Sequence, residues 1–189
     1  MENKLSLEQL IRFASFVDYE GTITIDKNRL WLPSISVSNS SEEAVRTFHN
    51  AFGGSFIQYS RGERRQNHFG CQIASKSELN FCLRSLKPYI KIKWRQLLLC
   101  QLITDTMKKH GGGVLSHLND EEVVLRTRIG LIVQKLNPKG RYFDEAFSKS
   151  YDPYKDPNIG ILLEHQDITG VMTPEELATS DSPATPPVD

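Results

Sequence analysis

The feature that most constrains this chain is a change of hydrophobic period at Gly21. Before it, Leu7, Leu10, Ile11, Ala14 and Val17 recur at helical spacing. After it, Thr22-Ile23-Thr24-Ile25-Asp26 alternates polar and apolar residues, as a half-buried strand does. Ser6, followed three residues on by Gln9, supplies a capping box for the helix start, and Gly21 supplies its end. A helix therefore runs directly into a strand.

The same signals partition the rest. Lys27-Asn28-Arg29 reads as a turn, and Leu32 to Ser38 as a second strand, with Ile35 and Val37 opposite Ser34, Ser36 and Ser38. Pro33 is tolerable near a strand start. Ser40 with Glu43 predicts a capped helix to about Phe52, stopped by Gly53-Gly54. Ser55 to Arg61 and His68 to Ala74 read as a hairpin around the polar, basic loop 62–67. Ser75 with Glu78 predicts another capped helix, to about Leu86 and Pro88. A helix over Lys93 to Lys109 ends at Gly111-Gly112-Gly113, and one more runs from Asn119 or Asp120 to Leu136, before Asn137-Pro138. Residues 1–148 read as one folded domain. Residues 149–189, acidic and rich in Pro and Ser, read as a largely disordered tail.

The order αββαββα, with further helices, predicts an α+β fold: a four-stranded antiparallel sheet with helices on one face and a polar, open second face. Alternation places Thr22, Thr24, Asp26, Ser34, Ser36, Gln58, Ser60, His68 and Gln72 on that open face, with Asn28 in the adjoining turn. These are hydrogen-bonding side chains of the kind that read base edges when a β-ribbon enters the DNA major groove. Arg61, Arg64 and Arg65 in the hairpin loop would reach phosphates.

Charge agrees with a polyanion partner once its distribution is considered. The net charge is zero, but Met1 to Ser148 holds 21 Lys and Arg against 15 Asp and Glu, whereas the last 41 residues hold 2 against 8. An acidic tail masks a basic body. No apolar run approaches a membrane span, and the N-terminus has no apolar signal core, so no membrane partner and a cytoplasmic or organellar matrix or stromal location, associated with the nucleoid, are expected. Cys71, Cys82 and Cys100 are far apart and lie in apolar stretches, which speaks against a disulfide framework or zinc site. The histidines do not cluster, His49-Asn50 is not an HNH nuclease motif, and the glycine triplet lacks the Lys-Ser/Thr of a phosphate loop.

Phe13-Ala14-Ser15-Phe16-Val17-Asp18-Tyr19-Glu20-Gly21 resembles the nine-residue LAGLIDADG motif: apolar at the first, fourth and fifth places, Ala at the second, Asp at the sixth, and an acid-Gly close. Phe52-Gly53-Gly54-Ser55-Phe56-Ile57 resembles that family's helix-Gly-strand junction. Leu86-Lys87-Pro88-Tyr89-Ile90-Lys91-Ile92-Lys93 is similar to its lead into the fourth helix, and Asn137-Pro138-Lys139-Gly140 to its Leu-Asn-x-x-Gly ending. The resemblance covers roughly residues 5–145 and points to the LAGLIDADG homing endonucleases. Ser15 and Tyr19 depart from it: the family prefers Gly at the first of these places, and Gly or Ala at the second.

The resemblance implies a site-specific double-strand DNA endonuclease that leaves short 3′ overhangs. Glu20 is implied as the ligand of Mg²⁺ or another divalent metal, Lys93 as the active-site lysine, and Asn39 as the residue that positions water. Glu42 and Glu43 stand where some relatives carry a basic residue. One motif per chain implies a homodimer on a near-palindromic site, with Phe13, Ala14, Phe16 and Val17 between the two motif helices. The alternative is a catalytically inactive nucleic-acid-binding relative, or an intron RNA-splicing maturase with RNA as partner.

Overall fold

In the computed structural model the described residues are 5–29, 31–59, 67–106, 120–138 and 140–164. Helix α1 (Leu7–Glu20) carries the expected capping box: Gln9 N–H donates to Ser6 Oγ at 3.2 Å, and Ser6 N–H to Gln9 Oε1 at 2.8 Å. It passes without a linker into β1 (Gly21–Asp26). A Cβ on Gly21 would meet the Val17 carbonyl oxygen at 2.7 Å and its Cα at 2.8 Å. The chain leaves the helix so close to its last turn that any side chain here would strike backbone.

Strand β2 (Leu32–Asn39), helix α2 (Glu42–Phe52), strands β3 (Ser55–Tyr59) and β4 (His68–Ile73), and helices α3 (Lys76–Leu86), α4 (Trp94–Thr106) and α5 (Asp120–Leu136) follow. The sheet is antiparallel, in the order β1-β2-β4-β3. Its inner face carries Ile23 and Ile25, Ile35 and Val37, and Phe69, Cys71 and Ile73, all buried in one core with the helices. The α+β architecture is the one the sequence predicts. No helix among the described residues is long and apolar enough to cross a membrane.

Several local expectations shift. The cap of α2 is Ser41, not Ser40, and its hydroxyl accepts from Ala44 N–H at 3.3 Å. The box expected at Ser75 does not form, because the Ser75 hydroxyl donates to the Glu78 carboxylate instead of accepting from the helix. Glu78 also receives the Gly54 N–H, and these bonds hold its pKa below the usual carboxylate range. Residues beyond 148 are not all tail. Helix α6 (Glu145–Ser150) and helix α7 (Gly160–Glu164) fold onto the body, with Ile159 and Leu163 buried and Tyr154 stacked on Trp94 at 6.5 Å. The signal was masked by composition: a few apolar residues spaced among Asp and Pro suffice to anchor a short segment. Residues 165–189, with the rest of the expected tail, and the glycine triplet lie outside the described residues.

The β1–β2 turn is fixed against α5. Trp31 is buried with φ at 57°, a conformation uncommon outside glycine, and its ring lies where a Cβ on Gly130 would be, 2.0 Å from the nearest ring carbon. Only glycine on α5 leaves room for this ring. Gly130→Ala should therefore destabilise the fold by about 1–3 kcal/mol through overpacking, against the small gain that alanine normally brings to a helix. Urea unfolding checks this; an unchanged midpoint would mean that the contact is not a tight one.

Candidate nucleic-acid interface

The end of α1 is locked to the start of α4. The backbone N–H groups of Lys91, Ile92 and Lys93 donate to the Asp18 carboxylate at 2.8, 3.1 and 2.9 Å. Asp18 is only 6% exposed, and its two oxygens already accept three bonds. It braces the helix end and is in no position to serve as a free metal ligand. The lysine five residues after Pro88 completes the joint from the other side. Lys93 Nζ donates to the Val17 carbonyl at 2.9 Å and to the Asp18 carbonyl. Lys93 is 9% exposed, so its ammonium caps the last carbonyls of α1, where the helix dipole is negative.

This joint aims Glu20. The last residue of α1 is exposed, one residue before β1 begins, with its carboxylate directed by neither Asp18 nor Lys93. A cavity of about 530 Å³, lined by its neighbours Tyr19 and Gly21 and not by Glu20 itself, opens between β1 and helices α4 and α5. Thr22, Thr24, Arg95, Arg141 and Tyr142 line it, the last three missed in the sequence. Asn137, the asparagine of the Leu-Asn-x-x-Gly ending, donates to the Ile23 carbonyl on the β1 edge at 3.0 Å. Among the described residues no group of three or more His, Cys, Asp or Glu side chains could hold a metal ion. Glu20 is the exposed carboxylate at the end of α1.

Asn39 stands at the end of β2, two residues beyond Val37, which pairs with Gly21 at the start of β1, and its Oδ1 accepts from Ser41 N–H at 2.9 Å, turning the chain into α2. Asp26 makes a similar turn, accepting from Asn28 N–H at 2.9 Å. Glu42 pairs with Arg46 at 2.6 Å, so the start of α2 is acidic, as its sequence suggests.

The open face of the sheet carries Thr22, Thr24 and Asp26 from β1, Ser34 and Ser36 from β2, and His68 and Gln72 from β4, as alternation requires. Ser34 is 5% exposed and so withdrawn from any ligand on that face. Gln58 does not belong to it. Register pairs Gln58 with Phe69 and Phe56 with Cys71, on the helix side, and turns Ser55, Ile57 and Tyr59 to the open side opposite Gln72, Gly70 and His68. The sequence could not settle this parity, because Phe56 and Ile57 are both apolar and either could face the core. Ser60, Arg61, Arg64 and Arg65 lie outside the described residues.

The expected self-association residues are also displaced. Phe13, Ala14 and Val17 are buried inside this chain, and Phe16 is half-buried against Phe48, with ring centres 6.0 Å apart. The reason is the Phe13, Phe48 and Phe52 cluster: its edge-to-face contacts at 5.3 and 5.7 Å take that side of α1 into the core. The free side is Leu7 (60% exposed), Ile11 (48%), Ser15 and Tyr19 (70%), spaced four residues apart along one face.

No protein-family model matches the sequence, and no curated protein does. Solved structures do. The archaeal intron-encoded homing endonuclease I-Vdi141I, complexed with DNA, superposes with a TM-score of 0.55 at 15% identity, over 83% of this chain and 93% of its own. The chain has the LAGLIDADG homing-endonuclease fold. The homing endonuclease I-CvuI with its target and calcium matches at 0.46 and 19% identity, over 75% of this chain and 91% of its own. The LAGLIDADG homing endonuclease I-SmaMI bound to cleaved DNA matches at 0.46 and 19%, over 78% of this chain and 49% of its own.

Within this LAGLIDADG fold the Asp18 joint is testable apart from activity. Asp18→Asn keeps the shape but removes the charge that three N–H donors share. It should cost about 2–3 kcal/mol of stability, the range for hydrogen bonds to a charged group. Chemical denaturation reads this out; a loss below about 0.5 kcal/mol would show that the brace is not structural.

Proposed function

We propose that this chain is a divalent-metal-dependent DNA endonuclease that acts as a homodimer on a near-palindromic duplex site. The observation that carries the reading is the exposed Glu20 at the end of a braced helix, beside a polar open sheet in a LAGLIDADG fold. The donor chemistry fits a hard cation such as Mg²⁺: a free carboxylate from each of two copies, joined by water and phosphate oxygens. When bound, the metal supplies polarisation of the phosphate oxygens and a lowered pKa for an attacking water.

The chain's own residues do the rest. Two copies would meet along Leu7, Ile11, Ser15 and Tyr19 of α1, bringing their Glu20 carboxylates to one place. Asp18 and Lys93 hold the helix end rigid, so that Glu20 is aimed without reorganisation. The open faces of β1, β2 and β4 would lie along the major groove, giving Thr22, Thr24, Gln72 and His68 access to base edges. The surplus of six positive charges per body, from 21 Lys and Arg against 15 Asp and Glu up to Ser148, would draw the duplex in.

A second reading, a DNA- or RNA-binding relative that does not cut, has specific support. Lys93 is buried with its ammonium on the Val17 and Asp18 carbonyls, and Tyr19 projects at 70% exposure beside Glu20 in the chain. Two arms separate the readings. Duplexes selected from a randomised pool are incubated with the full chain, with and without Mg²⁺. Double-strand cutting that needs Mg²⁺, and falls at least a thousandfold in Glu20→Gln while binding persists, supports the enzyme. Tight binding with no cutting in Mg²⁺ or Mn²⁺ supports the binder. In either case affinity should fall steeply with salt, by roughly 10³ or more between 50 and 200 mM for six or more phosphate contacts. A salt-independent affinity would contradict a basic body on duplex.

A further inference from the structure

The open face of the sheet is polar apart from Leu32, opposite Asp26 at the far end of β1, and one hollow on the β3 side. Register sets Ile57 on β3 opposite Gly70 on β4, and Gly70 opposite Ser38 on β2, so that one row across the sheet reads Ile57, Gly70, Ser38. Gly70 contributes no side chain to that row, which leaves a hollow. The Tyr59 ring leans over it: a Cβ on Gly70 would meet Tyr59 Cε2 at 3.0 Å and its hydroxyl oxygen at 3.4 Å. His68 backs the tyrosine, with ring centres 6.5 Å apart. The resulting hollow is about 370 Å³, with Ile57 and the Tyr59 ring as apolar walls and Ser36, Ser38 and Gln72 as polar rim. Tyr59 is 44% exposed and Ile57 is half-buried, so both present hydrocarbon to whatever lies on this face.

We propose that this hollow is a base-specificity site that reads thymine: Ile57 and Tyr59 take the C5-methyl group, and Gln72 takes the adenine of the same or the next base pair. This rests on the reading of the open face as a major-groove surface and names what one part of it selects. The major groove displays one apolar group, the thymine methyl, and an apolar wall in a polar surface has no better partner there. A glutamine amide matches the N6 donor and N7 acceptor of adenine in a bidentate pair. Gln72 is placed for it: its side chain makes no hydrogen bond to another described residue, and it stands on the open face two residues from Gly70. A cytosine at the same position would bring neither a methyl group to the hollow nor an adenine to Gln72.

The test uses the full chain and a randomised duplex library. Bound duplexes are amplified and sequenced, and each half-site should show a position where thymine is strict. The selected duplex is then resynthesised with deoxyuridine at that position of one half-site, which removes one methyl group and nothing else. Affinity should fall about fourfold, the factor that burial of one methyl group corresponds to. Ile57→Ser should bind the thymine and deoxyuridine duplexes equally, whereas Ile57→Val should keep most of the difference. Gln72→Ala should relax the adenine position. Thermal melts of the variants would confirm folding, since neither side chain lies in the core. Equal affinity of the native chain for thymine and deoxyuridine at every thymine of the site overturns the proposal and leaves the DNA-binding reading standing. Failure to enrich any duplex overturns both.

Discussion

The structure depends on one buried carboxylate. Asp18 gathers the N–H groups of Lys91, Ile92 and Lys93, and Lys93 returns its ammonium to the Val17 and Asp18 carbonyls. Helix ends leave donors at one terminus and acceptors at the other. Here the acceptors at the end of α1 and the donors of the segment leading into α4 are satisfied through a single acid and a single lysine. The arrangement fixes where α1 stops, and so where β1 starts and where Glu20 points. Gly21 completes it, because the close departure of the strand from the helix leaves no room for a Cβ. An exposed acid beside a buried acid that accepts three N–H groups is the division of labour at this helix end.

The sheet follows from this joint. With β1 anchored at one edge, β2, β4 and β3 extend outward, and their apolar residues close on α1 to α5. The second face is left to side chains that hydrogen-bond, and the edge of β1 is shielded by Asn137. In the proposed function the two roles are physically separate. The helix end carries the chemistry, while the sheet and its hollow at Gly70 carry recognition. A chain can lose one without losing the other, so a cutting enzyme and a binding relative can share this fold.

Much of this was legible in the residues. The switch of period at Gly21, the alternation of Thr22 to Asp26 and the capping box at Ser6 gave the first helix and strand, and the correct faces of the strand. Other features depended on contacts distant in sequence. Which side of α1 is free turns on the Phe48 and Phe52 rings, more than thirty residues away from Phe13. The parity of β3 turns on its pairing with β4, since Phe56 and Ile57 look alike to a pattern. The helices after Ser148 are held by tertiary contacts such as that between Tyr154 and Trp94, against a composition that argues for disorder.

The central claim is that two copies of α1, meeting along Leu7, Ile11, Ser15 and Tyr19, bring two Glu20 carboxylates to one duplex. Native mass spectrometry of the full chain on a selected duplex counts the copies directly. The account gives two chains per duplex for the native protein, and loss of the second chain for Ile11→Arg. One chain per duplex at saturating protein, unchanged by Ile11→Arg, would contradict it.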